Sequence, residues 1–323
     1  MEKTIIQAPS AKLEITDANG VRQIHVNGLA TYEGSKQKVQ SDISTHLSIG
    51  TIQELVNQKG DWWLDEMERR TKKDYVAKRF LSLIQRFGGL KNTKILDIGS
   101  GCGSSAMIMI DAGAASVTGV EPVANFVQLA KHRIMDEGLE NQINFIHLED
   151  TSKLPFVDQS FDIITFSAVI EHIHPKIRTS ILRDAYRCLK PNGRLVITET
   201  PNRAFPYDGH TTHLPILPWL PLILSAKIAK YFSCNSPRGL SKDEYIEEGL
   251  IGGNYWQIKK ALSGANCLNL NSGDAEWKCG LKNSSHLLCT LLNIAESILK
   301  IFSLPLAAFM PVLDLVFQKP AKI

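Results

Sequence analysis

The sequence predicts an α/β fold, a doubly wound and mostly parallel sheet with helices on both faces, and three observations predict it. Apolar runs of strand length alternate with helical patterns from Lys94 to Glu199. The first run, Ile95–Ile98, opens onto Gly99, Gly101 and Gly103, as a buried strand does when it turns sharply into a helix. Polar residues at Asp97, Glu121, Asp150, Ser167 and Thr200 fall at or just past the ends of the predicted strands, the edge where ligands bind such sheets.

Residues 1–72 read as an N-terminal extension. Lys12–Thr16 and Val21–Val26 alternate around Asn19-Gly20, which predicts a β-hairpin. Trp62-Trp63 follows a polar stretch without clear pattern. Asp61 is placed to cap a helix starting there. The two tryptophans either pack the hairpin onto the core or close over a ligand. A helix from Lys73 to Phe87 ends at Gly88-Gly89.

The central domain is read as 73–284. Its predicted strands are Ile95–Ile98, Val117–Glu121, Ile143–His147, Phe161–Ser167 and Arg194–Glu199; its helices are Ser104–Ala112, Ala124–Glu137 and Lys176–Leu189. Lys190-Pro191-Asn192-Gly193 is a turn signal before strand five. Residues 201–252 are too long for a plain connection. They hold an apolar, proline-punctuated stretch from Leu214 to Phe232 and read as a lid insertion after strand five. A helix at Asn254–Ser263 and a strand at Cys267–Leu270 resume the alternation, and no seventh strand is evident beyond them. Residues 285–323 read as C-terminal amphipathic helices. Leu287, Leu291, Ile294, Ile298 and Ile301 recur at helical spacing, followed by a second apolar stretch from Leu304 to Phe317. That stretch is too short of uncharged residues to span a bilayer, so it docks on the fold, on a partner or in a membrane interface.

Composition narrows the classes. Lys and Arg number 36 against 33 Asp and Glu, a formal charge of +3, which gives no reason to expect nucleic acid. Six cysteines lie without C-x-x-C spacing, which argues against a zinc framework or disulfides and for a reducing, cytoplasmic setting. The first ten residues lack an apolar signal core.

Asp97 two places before Gly99, and Glu121 at the end of the second strand, describe a site for an adenosine-bearing ligand. The candidates are a nicotinamide dinucleotide and S-adenosylmethionine. A pyrophosphate belongs on the helix N-terminus, where Asp97 would oppose it. A sulfonium and an ammonium group would be favoured beside Asp97, so charge selects the methyl donor. On these residues the chain resembles the class I S-adenosylmethionine-dependent methyltransferases. The resemblance runs through Ile95–Gly103, Val117–Glu121, Glu149–Phe156, Phe161–Ile173 (ending in E-H-I) and L-K-P-N-G at Leu189–Gly193.

The resemblance implies a Rossmann-like fold with S-adenosyl-L-methionine as cofactor and S-adenosyl-L-homocysteine as product. It implies that Gly99, Ser100 and Gly101 meet the methionine part and Asp97 its amino end. Glu121, followed by Pro122, takes the ribose hydroxyls. Asp150 and Thr151 take the adenine and Ser167 flanks the methionine end. Glu149 departs from the pattern, where glycine is frequent. The pattern also resembles quinone-biosynthesis and sterol-type methyltransferases, which handle apolar acceptors.

The expected activity is methyl transfer to a small, fairly apolar metabolite, with oxygen as the favoured acceptor atom. A hydroxyl acceptor needs a base. The candidates are His172 after strand four, and His210 and His213 after strand five, with Tyr207 and Asp208 beside them. No metal site is expected, because His210, His213 and Asp208 lack a further evident ligand. Membrane-peripheral action on a lipid or prenylated acceptor, and a non-catalytic cofactor-binding role, are the alternatives. The oligomeric state is not legible.

Overall fold

The computed structural model describes residues 3–32, 35–71, 80–234, 238–268 and 286–321. The chain divides into two compact units, one of Met1–Ser82 with Leu90–Glu149, the other of Leu83–Gly89 with Asp150–Ile323.

The first unit opens with strands β1 (Lys3–Gln7), β2 (Ala11–Ala18), β3 (Val21–Tyr32) and β4 (Ser35–Thr45). The predicted hairpin is the centre of this four-stranded antiparallel meander, in the order β1-β2-β3-β4. Asn19 and Gly20, both at positive φ, turn β2 into β3. β4 escaped the sequence reading because its face is mostly polar. It still pairs with β3 along its length, from Arg22 opposite Thr45 to Tyr32 opposite Ser35. Helix α1 (Ile49–Lys59) begins where the Ser48 hydroxyl accepts the Thr51 N–H at 3.2 Å. A 3-10 turn, Gly60–Trp62, leads into α2 (Trp63–Thr71). Asp61 lies inside the 3-10 turn, whose own N-cap position is Lys59.

Trp63 is fully buried and Trp62 is about half exposed (48%). Trp63 packs in one core with Leu13, Ile15, Ile24, Val26, Ile52, Leu55, Cys102 and Leu129, so one tryptophan of the pair joins the meander to the α/β part. Helix α3 (Ser82–Arg86) is the described end of the helix predicted from Lys73, whose start lies outside the described residues. Strand β5 (Lys94–Ile98), helix α4 (Ser104–Asp111), strand β6 (Ser116–Glu121), helix α5 (Ala124–Asp136) and strand β7 (Ile143–His147) follow. β6 pairs in parallel with β5 and with β7.

Beneath the glycine loop lies a buried ion pair. Arg133 of α5 donates to the Glu66 carboxylate at 2.9 Å, to the Cys102 carbonyl at 2.7 Å and to the Ser104 hydroxyl at 3.0 Å. Ser104 in turn donates to Glu66 at 2.6 Å. Burial by itself would raise the Glu66 pKa; Arg133, Lys59, Arg69 and the Ser104 hydroxyl outweigh it and hold the group at about 2.

The second unit contains β8 (Phe161–Ser167), α6 (Arg178–Cys188) and β9 (Leu189–Pro201), with β8 and β9 parallel. The predicted turn at Lys190–Gly193 is a bulge within β9. Phe161 faces Leu189 and Ile163 faces Arg194, so the intervening residues loop out, with Asn192 at φ +61°. Helices α7 (Leu222–Phe232), α8 (Lys242–Glu247) and α9 (Tyr255–Ala261) and strand β10 (Asn266–Cys267) follow. The last two residues of the predicted Cys267–Leu270 strand lie outside the described set.

Helix α10 (His286–Ile301) is where the amphipathic pattern predicts one. The segment after it corrects the reading of 285–323 as helical: Val312–Gln318 is strand β11, antiparallel to β9 and β10. V-L-D-L-V-F-Q alternates behind Pro311 and places Leu313, Leu315 and Phe317 in the core; its apolar density resembled one side of a helix. The strand order in this unit is β10-β11-β9-β8. Beside the antiparallel meander, the chain thus has the α/β class and mostly parallel central sheet expected of a Rossmann-like fold. Among the described residues no helix is long and apolar enough to cross a membrane.

Replacing Arg133 by Met should cost about 3–5 kcal/mol in urea unfolding, because Glu66 is left buried without its partner. Adding Glu66→Gln should recover most of that loss. Glu66 is ionised in the fold down to about pH 2 and protonates near 4.5 when unfolded. Its stabilisation is therefore complete above about pH 4.5 and declines as pH falls toward 2. Unfolding midpoints at pH 7 and pH 3 should differ less in Glu66→Gln than in the wild type.

Candidate functional site

The glycine loop in the first unit is shaped for close approach of a ligand. Gly99, Gly101 and Gly103 take φ of +72°, +52° and +88°, conformations glycine adopts without strain. A Cβ on Gly103 would stand 2.7 Å from Phe145, whereas one on Gly101 would meet nothing within 4 Å. The loop is therefore packed on one side and open at Gly101. The Gly99 and Ser100 N–H groups both donate to the Val120 carbonyl, at 2.9 and 3.1 Å, which ties the turn to the next strand. The Ser100 hydroxyl is buried and has no hydrogen-bond partner among the described residues.

Glu121, at the tip of β6, is buried. It accepts the Gly101 N–H at 2.9 Å and the Val123 N–H at 3.1 Å. Burial raises its pKa, and these two N–H groups act against that rise. Asp97 lies buried at the end of β5. The Pro122 carbonyl accepts from His147 Nε2 at 3.0 Å. These groups fit an adenosylated amino acid: a carboxylate for the cationic end, a glycine loop with open space at Gly101, and a second carboxylate for a vicinal diol.

In the second unit Asp150 is exposed and accepts the Ser152 N–H at 2.8 Å. The Ser152 hydroxyl and N–H hold its carboxyl below the usual range. Thr151 is half-buried beside it. Ser167 closes β8 and accepts from the Thr198 hydroxyl at 3.1 Å. The next residue, Ala168, takes φ +53° and donates its N–H to the Thr198 carbonyl. Such backbone strain persists where the surroundings over-determine it.

The candidate bases separate. His172 and His210 come together, with ring centroids 5.6 Å apart and nearly edge to face. His213 lies with Tyr207 instead, in a stacked pair at 6.4 Å. Asp208 is buried and occupied by its own loop: its oxygens accept the N–H groups of His210, Thr211 and Thr212 and the Thr212 hydroxyl at 2.6–3.2 Å. It holds the loop in shape and has little left for a proton or an ion. The insertion that carries His210 is closed at its base, where Asn202 bridges Gly253 and the Gly253 N–H donates to the Pro201 carbonyl at 2.7 Å.

Sequence reasoning missed Glu171. Its side chain is fully buried and neither oxygen meets a hydrogen-bond donor. Burial pushes its pKa up to about 7, against the pull of nearby His172 and Arg178. His172 Nε2 stands 4.0 Å from Glu171 Oε1. Burial, then His172, lowers the pKa of His210. The signal was present as the acid of E-H-I, but nothing in a sequence distinguishes a buried glutamate from a solvated one.

The family described as "Methyltransferase domain" matches residues 96–197. These residues are a class I methyltransferase domain. S-adenosylmethionine is the cofactor of this class, and the loop residues of the first unit fit it.

Among curated relatives, the methyltransferase GfsG of Streptomyces halstedii is 35% identical over 117 residues, 36% of this chain and 41% of the relative. The ubiquinone/menaquinone biosynthesis C-methyltransferase UbiE of Geotalea daltonii is 32% identical over 144 residues, covering 43% and 60%. The O-methyltransferase rstn1 of Aspergillus nomiae is 29% identical over 171 residues, covering 53% and 72%. The chain spans about half the length of the first two of these relatives.

Glu121→Ala should weaken S-adenosylhomocysteine binding at least tenfold, about 1.4 kcal/mol, in calorimetric titration. The same variant should melt within a few degrees of the wild type, since Glu121 bonds only loop N–H groups.

Proposed function

We propose that this chain is an S-adenosylmethionine-dependent methyltransferase acting on a hydroxyl oxygen of a small, largely apolar acceptor. The observation that carries the reading is the insertion after β9. It brings His210 against His172 and Glu171 and presents an apolar surface above a kernel of its own. That kernel is Leu217, Ala226, Ala229, Tyr245 and Leu250. Ile216, Trp219, Ile223 and Phe232 remain exposed, an unusual density of apolar side chains for a loop facing water.

When bound, the cofactor supplies an already activated methyl carbon on a sulfonium sulfur. The protein's own residues align the acceptor and exclude water. A hydroxyl acceptor would give up its proton to the Glu171–His172–His210 cluster as it takes the methyl group that the bound cofactor would supply. Relatives named as O- and C-methyltransferases support the chemistry class. The polar cluster supports oxygen, because a hydroxyl must lose a proton on methylation.

Replacing residues 205–248 by a short linker should abolish methyl transfer to hydroxylated apolar acceptors while S-adenosylhomocysteine affinity stays within about twofold. The insertion's ends already meet at Asn202 and Gly253, so its removal leaves a closed connection. Loss of cofactor binding as well, or label recovered on carbon or nitrogen alone, would sink the reading.

A second reading, action at a membrane surface on a lipid-like acceptor, rests on α10. The helix turns Glu296 inward, buried, and Leu291, Ile294, Ile298 and Ile301 outward, each more than half exposed. That inversion suits a lipid interface. On this reading Ile294→Glu with Ile298→Glu should lower co-sedimentation with phosphatidylglycerol-containing vesicles at least fivefold. Equal partition of variant and wild type would remove it.

A further inference from the structure

We propose that Glu171, His172 and His210 form a binding site for one divalent first-row transition-metal ion, with zinc as the reference ligand. The ligand atoms of these three residues lie within 4.8 Å of one another. One carboxylate and two imidazoles make a donor set that suits zinc and its neighbours. Metal–ligand bonds of about 2.0–2.2 Å need donors roughly 3–3.5 Å apart. The cluster thus has to contract by about an ångström to take a metal ion.

Three features make this a built site. Glu171 is fully buried, and both of its oxygens lack a hydrogen-bond donor. A buried carboxylate left in that state is costly unless a cation or a proton meets it. Arg178 is close by but is committed elsewhere: its guanidinium donates to the carbonyls of Ile173, Gly252, Glu171 and Ile251.

The second feature is tautomer control. His172 Nδ1 donates to the Glu247 carbonyl at 2.5 Å. The lone pair is therefore on Nε2, the nitrogen facing Glu171 Oε1. Metal-ligating histidines characteristically donate their other N–H in this way. For His210, the Thr211 hydroxyl spends its proton on the Glu248 carbonyl at 2.9 Å. His210 Nδ1 stands 3.2 Å from that hydroxyl, and His210 also hydrogen-bonds the Glu248 carbonyl. The third feature is Gly249, at φ +87°. A Cβ there would stand 2.9 Å from His210 Cε1 and 3.2 Å from Glu171 Cγ. The backbone thus comes close against two of the three ligands, at a φ that favours glycine.

The His172 side chain is 44% exposed, so a fourth position can take water or an acceptor oxygen. A metal there would lower the pKa of a bound hydroxyl and so ease its methylation; this use rests on the proposed O-methylation, whereas the binding itself does not.

The test is calorimetric titration of chelator-treated, dialysed full-length protein with zinc chloride, repeated on Glu171→Gln, His210→Gln and His174→Ala. The expected result is one equivalent bound at micromolar or tighter dissociation constant in the wild type and in His174→Ala. Binding should be at least tenfold weaker in the two cluster variants, with melting curves showing all four folded. Absence of stoichiometric binding in folded wild type overturns the site, as does equal affinity in both cluster variants. Should either variant fail to fold, His172→Gln, at the more exposed ligand, takes its place under the same criterion. Stoichiometric zinc binding in a protein that methylates no hydroxyl would leave the site standing and the proposed function fallen. Methyl transfer undiminished by chelation, without zinc binding, would do the reverse.

Discussion

Arg178 is the constraint on which the junction within the second unit depends. It is a nearly fully buried arginine with no carboxylate at bonding distance among its hydrogen bonds. Its donors go to four backbone carbonyls instead, two in the loop after β8 and two at the return of the insertion. Burial lowers its pKa to about 10 against the opposing pull of Glu171, with Arg203 adding to the fall, so it remains charged at neutral pH. A guanidinium is the one side chain with enough fixed donors to satisfy four carbonyls at once. The outcome is a rigid junction: the segment from Glu171 to Ile173 and the segment from Ile251 to Gly252 cannot part without exposing a buried charge. Glu171 and His172 lie within that segment, and His210 approaches them across the same junction.

The first unit has a comparable device at the glycine loop. Arg133 bonds the Cys102 carbonyl, the Ser104 hydroxyl and Glu66 together. Cys102 and Ser104 flank Gly103, and Glu66 belongs to the N-terminal extension. The extension is therefore part of what holds the loop in position, in addition to any covering it provides. Trp63 supports the same connection from the apolar side, packed with both the meander and Cys102. Between the two readings of the tryptophan pair, Trp63 answers to the packing one, while Trp62 stays about half exposed.

Legibility in the sequence followed the physics of each element. β5 and β8 were readable because burial on both faces leaves continuous apolar runs, and β6 and β7 because apolar residues alternate, with glycine or polar residues marking the ends. β4 was not readable, since Ser35–Thr45 carries only Val39 and Ile43 as apolar residues and draws its stability from pairing with β3. β11 was misread because a short apolar run is ambiguous between strand and helix until its partner is known. Its bulge at Asp314, whose carboxylate accepts the Glu199 N–H at 3.0 Å, has no sequence signature at all. Of the candidate site, the placement of the loop from Asp97 to Gly103 beside Glu121 was legible because backbone conformation dictates residue type there. The histidines were legible only as a set of three. Which two meet is decided by Asp208 folding its own loop and by the closure at Asn202 and Gly253, both interactions between residues far apart or of common type.

The burial of Glu171 bears on how the insertion and the domain share their work. An acid with its pKa raised to about 7 is held in its charged form at neutral pH only in part, and its surroundings contribute few donors to stabilise it. A fold selected for stability alone would place an apolar side chain of similar volume there, since replacing a buried charge by good packing is often neutral or favourable. Retaining a carboxylate beside two imidazoles, in a pocket where Gly249 presses the backbone against it, costs stability and returns a group that can hold a proton or a cation. That exchange is characteristic of a reacting centre. Glu171 and the two imidazoles stand where the insertion meets the loop after β8.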